Sequence, residues 1–265
     1  MQGRFPQNFL HDHPDLYDAV IPESQDHALA QFALDVVRRH APGPKVLDVG
    51  CGPGRELAYL RSHGAQADGL DASIAMVERA RQFCPGAEVT LGLQAEFRLP
   101  GRYDAILCFG STFLYNHSWR DIKATLENFA GHLNPGGLLA MEMRNAAYFL
   151  TAEGQATLGV QEVHKAVTDH GALRFTSELA LDPANQLLDR YYRWEPEEAE
   201  PVVEQLRHRL IFPEELRLAL DVAGFEVIDM FDRPIPAGGE LLTPETVYSR
   251  DLRGFRLHVL ARLGG

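Results

Sequence analysis

The sequence predicts an α/β fold: a doubly wound parallel sheet with an antiparallel β meander inserted late in the chain. Two observations carry this. Between residues 45 and 144, short apolar strands alternate with amphipathic helices over short loops. Between 160 and 212 the apolar pattern switches to period two, and strand–helix alternation resumes from 213 to 263. The 265 residues suit one large domain with a sizeable insertion. The boundaries expected are 1–145 and 213–265 for the α/β domain, and 146–212 for the inserted meander.

Residues 23–40, ESQDHALAQFALDVVRRH, place Leu29, Phe32, Ala33, Val36 and Val37 at helical spacing, and APGP (41–44) ends that helix. KVLDVG (45–50) is a strand, and helix RELAYLRSHG (55–64) stops at Gly64. QADGLDAS (66–73) reads as strand then turn, with Ser73 capping helix IAMVERARQF. EVTLGL (88–93) and YDAILCFG (103–110) are nearly continuous apolar runs, as parallel strands buried on both faces should be. Helix WRDIKATLENFAGHL leads through NPGG (134–137) to strand LLAMEMR (138–144). In the meander, Leu173, Phe175, Leu179 and Leu181 share one face, and Arg174, Thr176 and Glu178 the other. DPANQ (182–186) is a turn, and EPEEAEP (195–201) is an acidic loop. Helix PEELRLALDVAGF and strands 225–232 and 256–263 complete the pattern; residues 233–254 receive no assignment.

Composition narrows the function. Hydrophobic residues make up 45%, enough for a buried core. No apolar run is long enough to span a bilayer and there is no basic–apolar leader, so no membrane partner is expected. Cys51, Cys84 and Cys108 lie far apart with no CxxC spacing, which reads as a reduced, cytoplasmic protein. A formal net charge of −12 repels phosphate backbones and excludes nucleic acid as an expected partner. The same charge is compatible with a neutral or cationic small substrate. No metal set is evident, although His11 and His13 could take up a metal adventitiously.

The stretch VLDVGCGPGRE (46–56) carries the chemistry. Gly50, Gly52 and Gly54 lie between a strand and a helix N-terminus, where backbone can approach a ligand closely. A pyrophosphate is disfavoured there, because Pro53 lacks an N–H and Asp48 places an anion beside it. The third glycine also falls one residue early for G-x-G-x-x-G, and no GK[ST] follows for a phosphate loop. A cationic, phosphate-free nucleoside fits instead. Asp71 ends the second strand, 21 residues after Gly50 (71 − 50), near the ~20-residue offset at which an acid takes ribose hydroxyls.

VLDVGCGPG, DGLDAS, YDAILCFG and LNPGGLLAMEM, in this order and spacing, resemble the class I S-adenosylmethionine-dependent methyltransferases. That resemblance implies a Rossmann-like seven-stranded sheet whose last strand is antiparallel. It implies that S-adenosylmethionine is the cofactor, with Asp48 beside its ammonium group and Gly50, Cys51 and Gly52 along its methionine part. Asp71 and the adjoining Ala72 border the ribose, and Met76 lies near the adenine. In Leu93-Gln94-Ala95-Glu96, Gln94 replaces the usual acid; its carbonyl oxygen can accept from the adenine amino group, beside Ala95. Phe109 opens the loop FGSTFLYNH (109–117), which faces the reacting methyl group.

The insertion after the fifth strand, the segment FLHDHPDLYDAV with Tyr17, and the 109–117 loop resemble small-molecule N-methyltransferases acting on amino sugars and on glycine or sarcosine. The substrate expected is therefore a small-molecule amine, such as an amino sugar. An amine needs little beyond in-line placement in a closed site. His117 is the candidate base for an ammonium proton, since a free imidazole titrates near pH ~6.5; the alternative is a helix cap or an exposed side chain. Tyr115 either bonds the substrate or packs in the core, and Tyr17 either lines the transfer pocket or packs the N-terminal helix. If the meander roofs the pocket, His208, Arg190 or Tyr192 selects the substrate. Such meanders also pair between subunits, so a homo-oligomer is expected. The competing readings are an O-methyltransferase using His117 as base, and a cofactor-binding protein that transfers no methyl group.

Overall fold

The computed structural model describes residues 8–21, 27–168, 171–197, 200–233 and 247–264. The chain opens with two short helices, α1 (Phe9–Asp12) and α2 (Pro14–Val20), then α3 (Ala28–His40). Strand β1 (Lys45–Val49), α4 (Arg55–Ser62), β2 (Gln66–Asp71), α5 (Ile74–Phe83), β3 (Val89–Leu91), β4 (Tyr103–Cys108), α6 (Trp119–His132) and β5 (Leu133–Arg144) follow. After α7 (Ala152–Ala156) come β6 (Glu162–Thr168), β7 (Gly171–Asp182), β8 (Leu187–Pro196) and β9 (Val202–Arg209). Helix α8 (Pro213–Val222), β10 (Phe225–Arg233) and β11 (Arg256–Leu263) close the chain.

The main sheet has seven strands in the order β10-β11-β5-β4-β1-β2-β3. Strands β1 to β5 pair in parallel, whereas β11 runs antiparallel to both β5 and β10. The sheet is buried on both faces, which explains its continuous apolar strands. Leu47 and Ile106 pack into one cluster with Leu126 and Leu216 from α6 and α8. Their neighbours Val46 and Ala105 face the opposite way, against Val37, Leu57 and Val77 from α3, α4 and α5. Local signals behave as the residues dictate. The Ser73 hydroxyl accepts from the Met76 N–H at 3.3 Å, and Ser118 with Asp121 forms a capping box at the start of α6.

Two elements differ from the sequence expectation. Strand β5 begins at Leu133 rather than 138, because NPGG is absorbed as an irregularity between the pairs Tyr103–Leu133 and Ala105–Leu138. FLHDHPDLYDAV forms two helices, with Pro14 in the first turn of the second. Part of the segment before α3 and of the 233–254 connection lies outside the described residues.

The meander is a separate four-stranded antiparallel sheet, β6-β7-β8-β9. One of its faces carries Leu173, Phe175, Tyr192 and Trp194, and on these pack Leu10 and Leu16 of α1 and α2. The N-terminal helices thus lie between the meander and α5. Among the described residues, no helix is long and apolar enough to cross a membrane.

His258, on β11, is wholly buried and neither ring nitrogen has a hydrogen-bond partner. It stacks on Phe231, with ring centroids 5.1 Å apart. Burial, outweighing the attraction of Glu142, pulls its pKa from 6.5 down to about 4. The unfolded chain therefore takes up this proton first, so His258's contribution to stability is complete above pH 6.5 and declines as pH falls towards 4. Urea unfolding across that window is expected to lose about 1.4 kcal/mol per pH unit from this group, and His258→Phe is expected to remove that slope.

Candidate functional site

The site begins at the carboxyl ends of β1 and β2. Gly50, Gly52 and Gly54 all adopt positive φ, +78°, +52° and +89°. The Gly50 and Cys51 N–H groups both donate to the Leu70 carbonyl, at 2.7 and 3.1 Å, which ties the turn to β2. A Cβ on Gly50 would lie 2.2 Å from Thr112 Oγ1, so only glycine fits there. A Cβ on Gly52 would meet nothing within 4 Å, which leaves its backbone open to a ligand. Asp71 accepts from the Gly52 N–H at 2.9 Å and from the Ser73 N–H at 2.8 Å. Those bonds fix its carboxylate at the strand end.

Three carboxyl groups crowd this end of the cavity. Burial, reinforced by Glu56 and Asp71, pushes the Asp48 carboxyl well above the carboxylate range. Burial also raises Asp71, although the Ser73 and Gly52 amides pull it back. A cation relieves this crowding and a phosphate aggravates it. Gln94 does not itself line the cavity described below; its amide nitrogen donates to the carbonyl of Thr112, a lining residue, at 2.9 Å, which leaves its oxygen, Oε1, buried with no partner. An N–H donor from a ligand would satisfy that atom.

A cavity of about 310 Å³ joins the glycine turn to the roof. It is lined by Asp48, Gly50, Cys51, Gly52, Asp71, Met76 and Phe109, and by Tyr17 and Tyr115. Ala72 and Ala95 are half-buried beside Asp71 and Gln94, without themselves forming the wall. From the second sheet, Arg190 and Tyr192 of β8 and Leu206 and His208 of β9 also line it. Burial first, then neighbouring charges, pushes the Tyr17 and Tyr115 phenols well above their ordinary pKa, so both stay protonated. They are aromatic walls and hydrogen-bonding groups, not bases.

His117 is not part of this constellation. It is exposed, and its Nε2–H donates to the Arg207 carbonyl of β9 at 2.9 Å. The capping box at Ser118 turns the chain into α6 and leaves His117 against the outside of the meander. The expectation of a base at His117 is therefore corrected, and with it the base-assisted O-methyl route through that residue.

Sequence reasoning missed the opposite wall. Arg144, Arg256 and Arg233 end β5, start β11 and end β10, and the register sets them directly opposite one another. Buried Glu142 accepts from Nε and Nη2 of Arg256 and lies 3.6 Å from Arg233 Nη2. It also accepts from the Gly110 N–H at 3.0 Å. Burial opposes its ionisation, but Arg256, His258 and Arg233 together pull its pKa to about 2. The Ser111 hydroxyl completes the network, accepting from Arg256 Nη1 and the Arg144 N–H at 3.0 and 3.1 Å. A charged residue terminating each of three apolar strands was the available signal. Its meaning depended on antiparallel pairing of β11 between β5 and β10.

The N-terminal helices close the side of the cavity. Asp18 of α2 binds Arg55 of α4 at 2.5 Å and Arg79 of α5 at 3.0 Å. The Ser73 hydroxyl donates to the His11 carbonyl at 2.8 Å, and the Phe9 N–H donates to Glu204 of β9 at 2.6 Å. His11, considered above only for chance metal binding, instead lines the cavity.

The model of a family described as a methyltransferase domain matches residues 23–230. A dTDP-3-amino-3,4,6-trideoxy-alpha-D-glucopyranose N,N-dimethyltransferase of Streptomyces venezuelae is 32% identical over 134 residues, covering 49% of this chain and 56% of that one. A ubiquinone biosynthesis O-methyltransferase of Xanthomonas campestris is 32% identical over 153 residues, 52% of this chain and 61% of that one. The chain thus spans little more than half the length of these curated relatives. The solved sugar N-methyltransferase KedS8 from Streptoalloteichus has the same fold, with a TM-score of 0.73 at 20% identity, covering 98% of this chain and 96% of that one.

Glu142→Ala would leave Arg256 and Arg233 buried without their shared counter-charge. Loss of about 3–5 kcal/mol is expected in urea unfolding, the range for breaking one side of a buried ion pair.

Proposed function

The chain belongs to the methyltransferase domain family, and from that premise we propose that it is an S-adenosylmethionine-dependent N-methyltransferase acting on a small-molecule amine, with an amino sugar as the favoured class. The observation that carries this reading is one cavity in which a glycine turn with three crowded acids faces an aromatic and basic roof. The chain's own groups suit the cofactor. Asp48, Glu56 and Asp71 favour a cation without phosphate, Asp71 stands ready for ribose hydroxyls, and Gln94 Oε1 needs a donor such as an adenine amino group. When bound, S-adenosylmethionine supplies an electrophilic methyl group on a sulfonium with a neutral leaving group. The relative named above as an amino-sugar N,N-dimethyltransferase supports an amino-sugar acceptor.

On this reading the protein places rather than activates. Tyr17 and Tyr115 wall the cavity between its two ends, and the latched α1 and α2 exclude water. Burial and the charges of Arg144, Arg256 and Arg190 hold His208 neutral, its pKa well below the ordinary imidazole value. An amine lying beside this roof is favoured in its uncharged, nucleophilic form. No dedicated base is required, in keeping with the position of His117. The reduced cytoplasmic setting and the homo-oligomer belong to the same proposal. The three cysteines are free and buried, and β6 exposes Val163 and Val167 on the outer sheet; a monomer in sedimentation equilibrium would remove the oligomer from it.

Incubation with methyl-labelled S-adenosylmethionine and a panel of amino sugars, glycine and sarcosine tests the reading. Label transfer to an amine is expected; tight cofactor binding with no transfer to any of them contradicts it. Asp71→Ala is expected to weaken S-adenosylhomocysteine binding by more than roughly a hundredfold, two hydrogen bonds to a charged group being worth about 1.5–3 kcal/mol each. His117→Ala is expected to lower kcat by much less than the roughly hundredfold or more that loss of a general base costs.

A further inference from the structure

The cavity wall away from the glycine turn is rich in donors and poor in acceptors. Arg144, Arg190, Arg233 and Arg256 line it, and a guanidinium can only donate. Glu142 already accepts from Nε and Nη2 of Arg256 and from the Gly110 N–H. The Ser111 hydroxyl already accepts from Arg256 and from the Arg144 N–H. His208 of β9 differs from these. Its ring lines the cavity, and its Nε2 is buried with no hydrogen-bond partner. In an uncharged imidazole one nitrogen carries a proton and the other a lone pair. That lone pair is far more basic than the phenol oxygens of Tyr17 and Tyr115, which line the same space.

The meander, the main sheet and the N-terminal helices together fix where this imidazole stands. Its edge meets the Tyr115 ring, with centroids 4.9 Å apart and planes at 84°. His11 of α1 approaches the same tyrosine, with centroids 6.2 Å apart. The His11 carbonyl accepts from the Ser73 hydroxyl, and the Ser73 N–H donates to Asp71. Contacts thus run from Asp71 through His11 and Tyr115 to His208, which places the imidazole across the aromatic wall from the acid end. The chemistry of an amine gives that position a use. A nucleophilic amine needs its electron pair free and directed at the methyl carbon, so its N–H bonds must meet acceptors. As that pair forms the C–N bond and the C–S electrons return to sulfur, the nitrogen keeps its hydrogens and becomes an ammonium. A hydrogen bond from its N–H to an imidazole lone pair strengthens as this charge develops, and so lowers the barrier.

We infer that His208 orients the methyl acceptor: an N–H of the amine donates to the imidazole lone pair, which turns the amine's own electron pair towards the transferring methyl group. This rests on the reading of the cavity as a methyl-transfer site, and deepens it by assigning the orienting contact to one side chain. His208 takes no proton. Burial, and then Arg144, Arg256 and Arg190, keep it a far weaker base than an amine. The methylated product therefore leaves as an ammonium and loses its proton to solvent. The same hydrogen bond offsets part of the cost of developing positive charge near Arg190.

Label transfer from S-adenosylmethionine to a panel of amino sugars that includes D-glucosamine, and to glycine and sarcosine, tests the inference in the full chain and its variants. His208→Phe keeps a ring and removes both nitrogens. His208→Asn restores an acceptor oxygen near the place of Nδ1, and His208→Gln near that of Nε2. With the amine that the wild-type chain methylates fastest, His208→Phe is expected to lower kcat roughly tenfold or more, the size of one hydrogen bond to a charged group. KM is expected to change less, and S-adenosylhomocysteine affinity to stay unchanged. His208→Asn or His208→Gln is expected to recover much of kcat, and the one that does identifies the nitrogen in contact. A packing role would be served by Phe and not by Asn or Gln. Undiminished kcat in His208→Phe overturns the inference, as does an equal loss in all the variants while S-adenosylhomocysteine still binds. If His208→Phe does not bind S-adenosylhomocysteine, His208→Leu takes its place and is read in the same way. Absence of transfer by the wild-type chain to every amine would instead overturn the N-methyltransferase reading of the cavity.

Discussion

The buried contact between Glu142 and Arg256 holds the functional end of the molecule together. It joins β5 to β11, and through Arg233 it reaches β10, so the antiparallel edge of the main sheet is pinned where its strands meet the cavity. The same carboxylate accepts from the Gly110 N–H, and the adjacent Ser111 hydroxyl accepts from Arg256 and from the Arg144 N–H. The loop that follows β4, including Phe109 and Tyr115, is therefore fixed by the charge network and not by apolar packing alone. One acid serving two arginines also sets the sign of the field at this end.

The opposite end is organised by the backbone. Three glycines at positive φ bring amides to Leu70 and Asp71, and Asp71 is immobilised by two N–H donors before any ligand arrives. Crowding among Asp48, Glu56 and Asp71 raises the cost of keeping all three ionised, a cost that a bound cation offsets. Acids at one end and arginines at the other give the cavity a direction. On the methyltransferase reading, a sulfonium cofactor takes the acidic end, with Tyr17 and Tyr115 lining the same cavity.

Much of this was legible in the sequence wherever the determinant was local. KVLDV followed by GCGPG specifies a strand and a left-handed turn within a few residues, and Ser73 caps α5 through its own neighbour Met76. The placement of Asp71 follows from the same short stretch. The period-two pattern revealed the meander, and the side chains on its inner face, Tyr192 and His208 among them, proved to line the cavity. What the sequence did not disclose depends on contacts between distant segments. His117 follows a strand end just as a catalytic residue would, yet the path of β9 supplies a carbonyl that holds it outside. Arg144, Arg233 and Arg256 look like ordinary strand termini until β11 inserts antiparallel between β5 and β10 and sets them in one row. A net charge of −12 concealed that row, because summed charge says nothing about where the cations gather.

A crystal structure of the chain with S-adenosylhomocysteine bound tests the central claim, a cavity polarised between cofactor and acceptor, most directly. The expected result is ribose hydroxyls on Asp71, the adenine amino group on Gln94 Oε1, and the sulfur facing a space walled by Tyr17, Tyr115 and His208 that leads to Arg190. A cofactor lying among Arg144, Arg233 and Arg256, with Asp71 and Gln94 untouched, would contradict it.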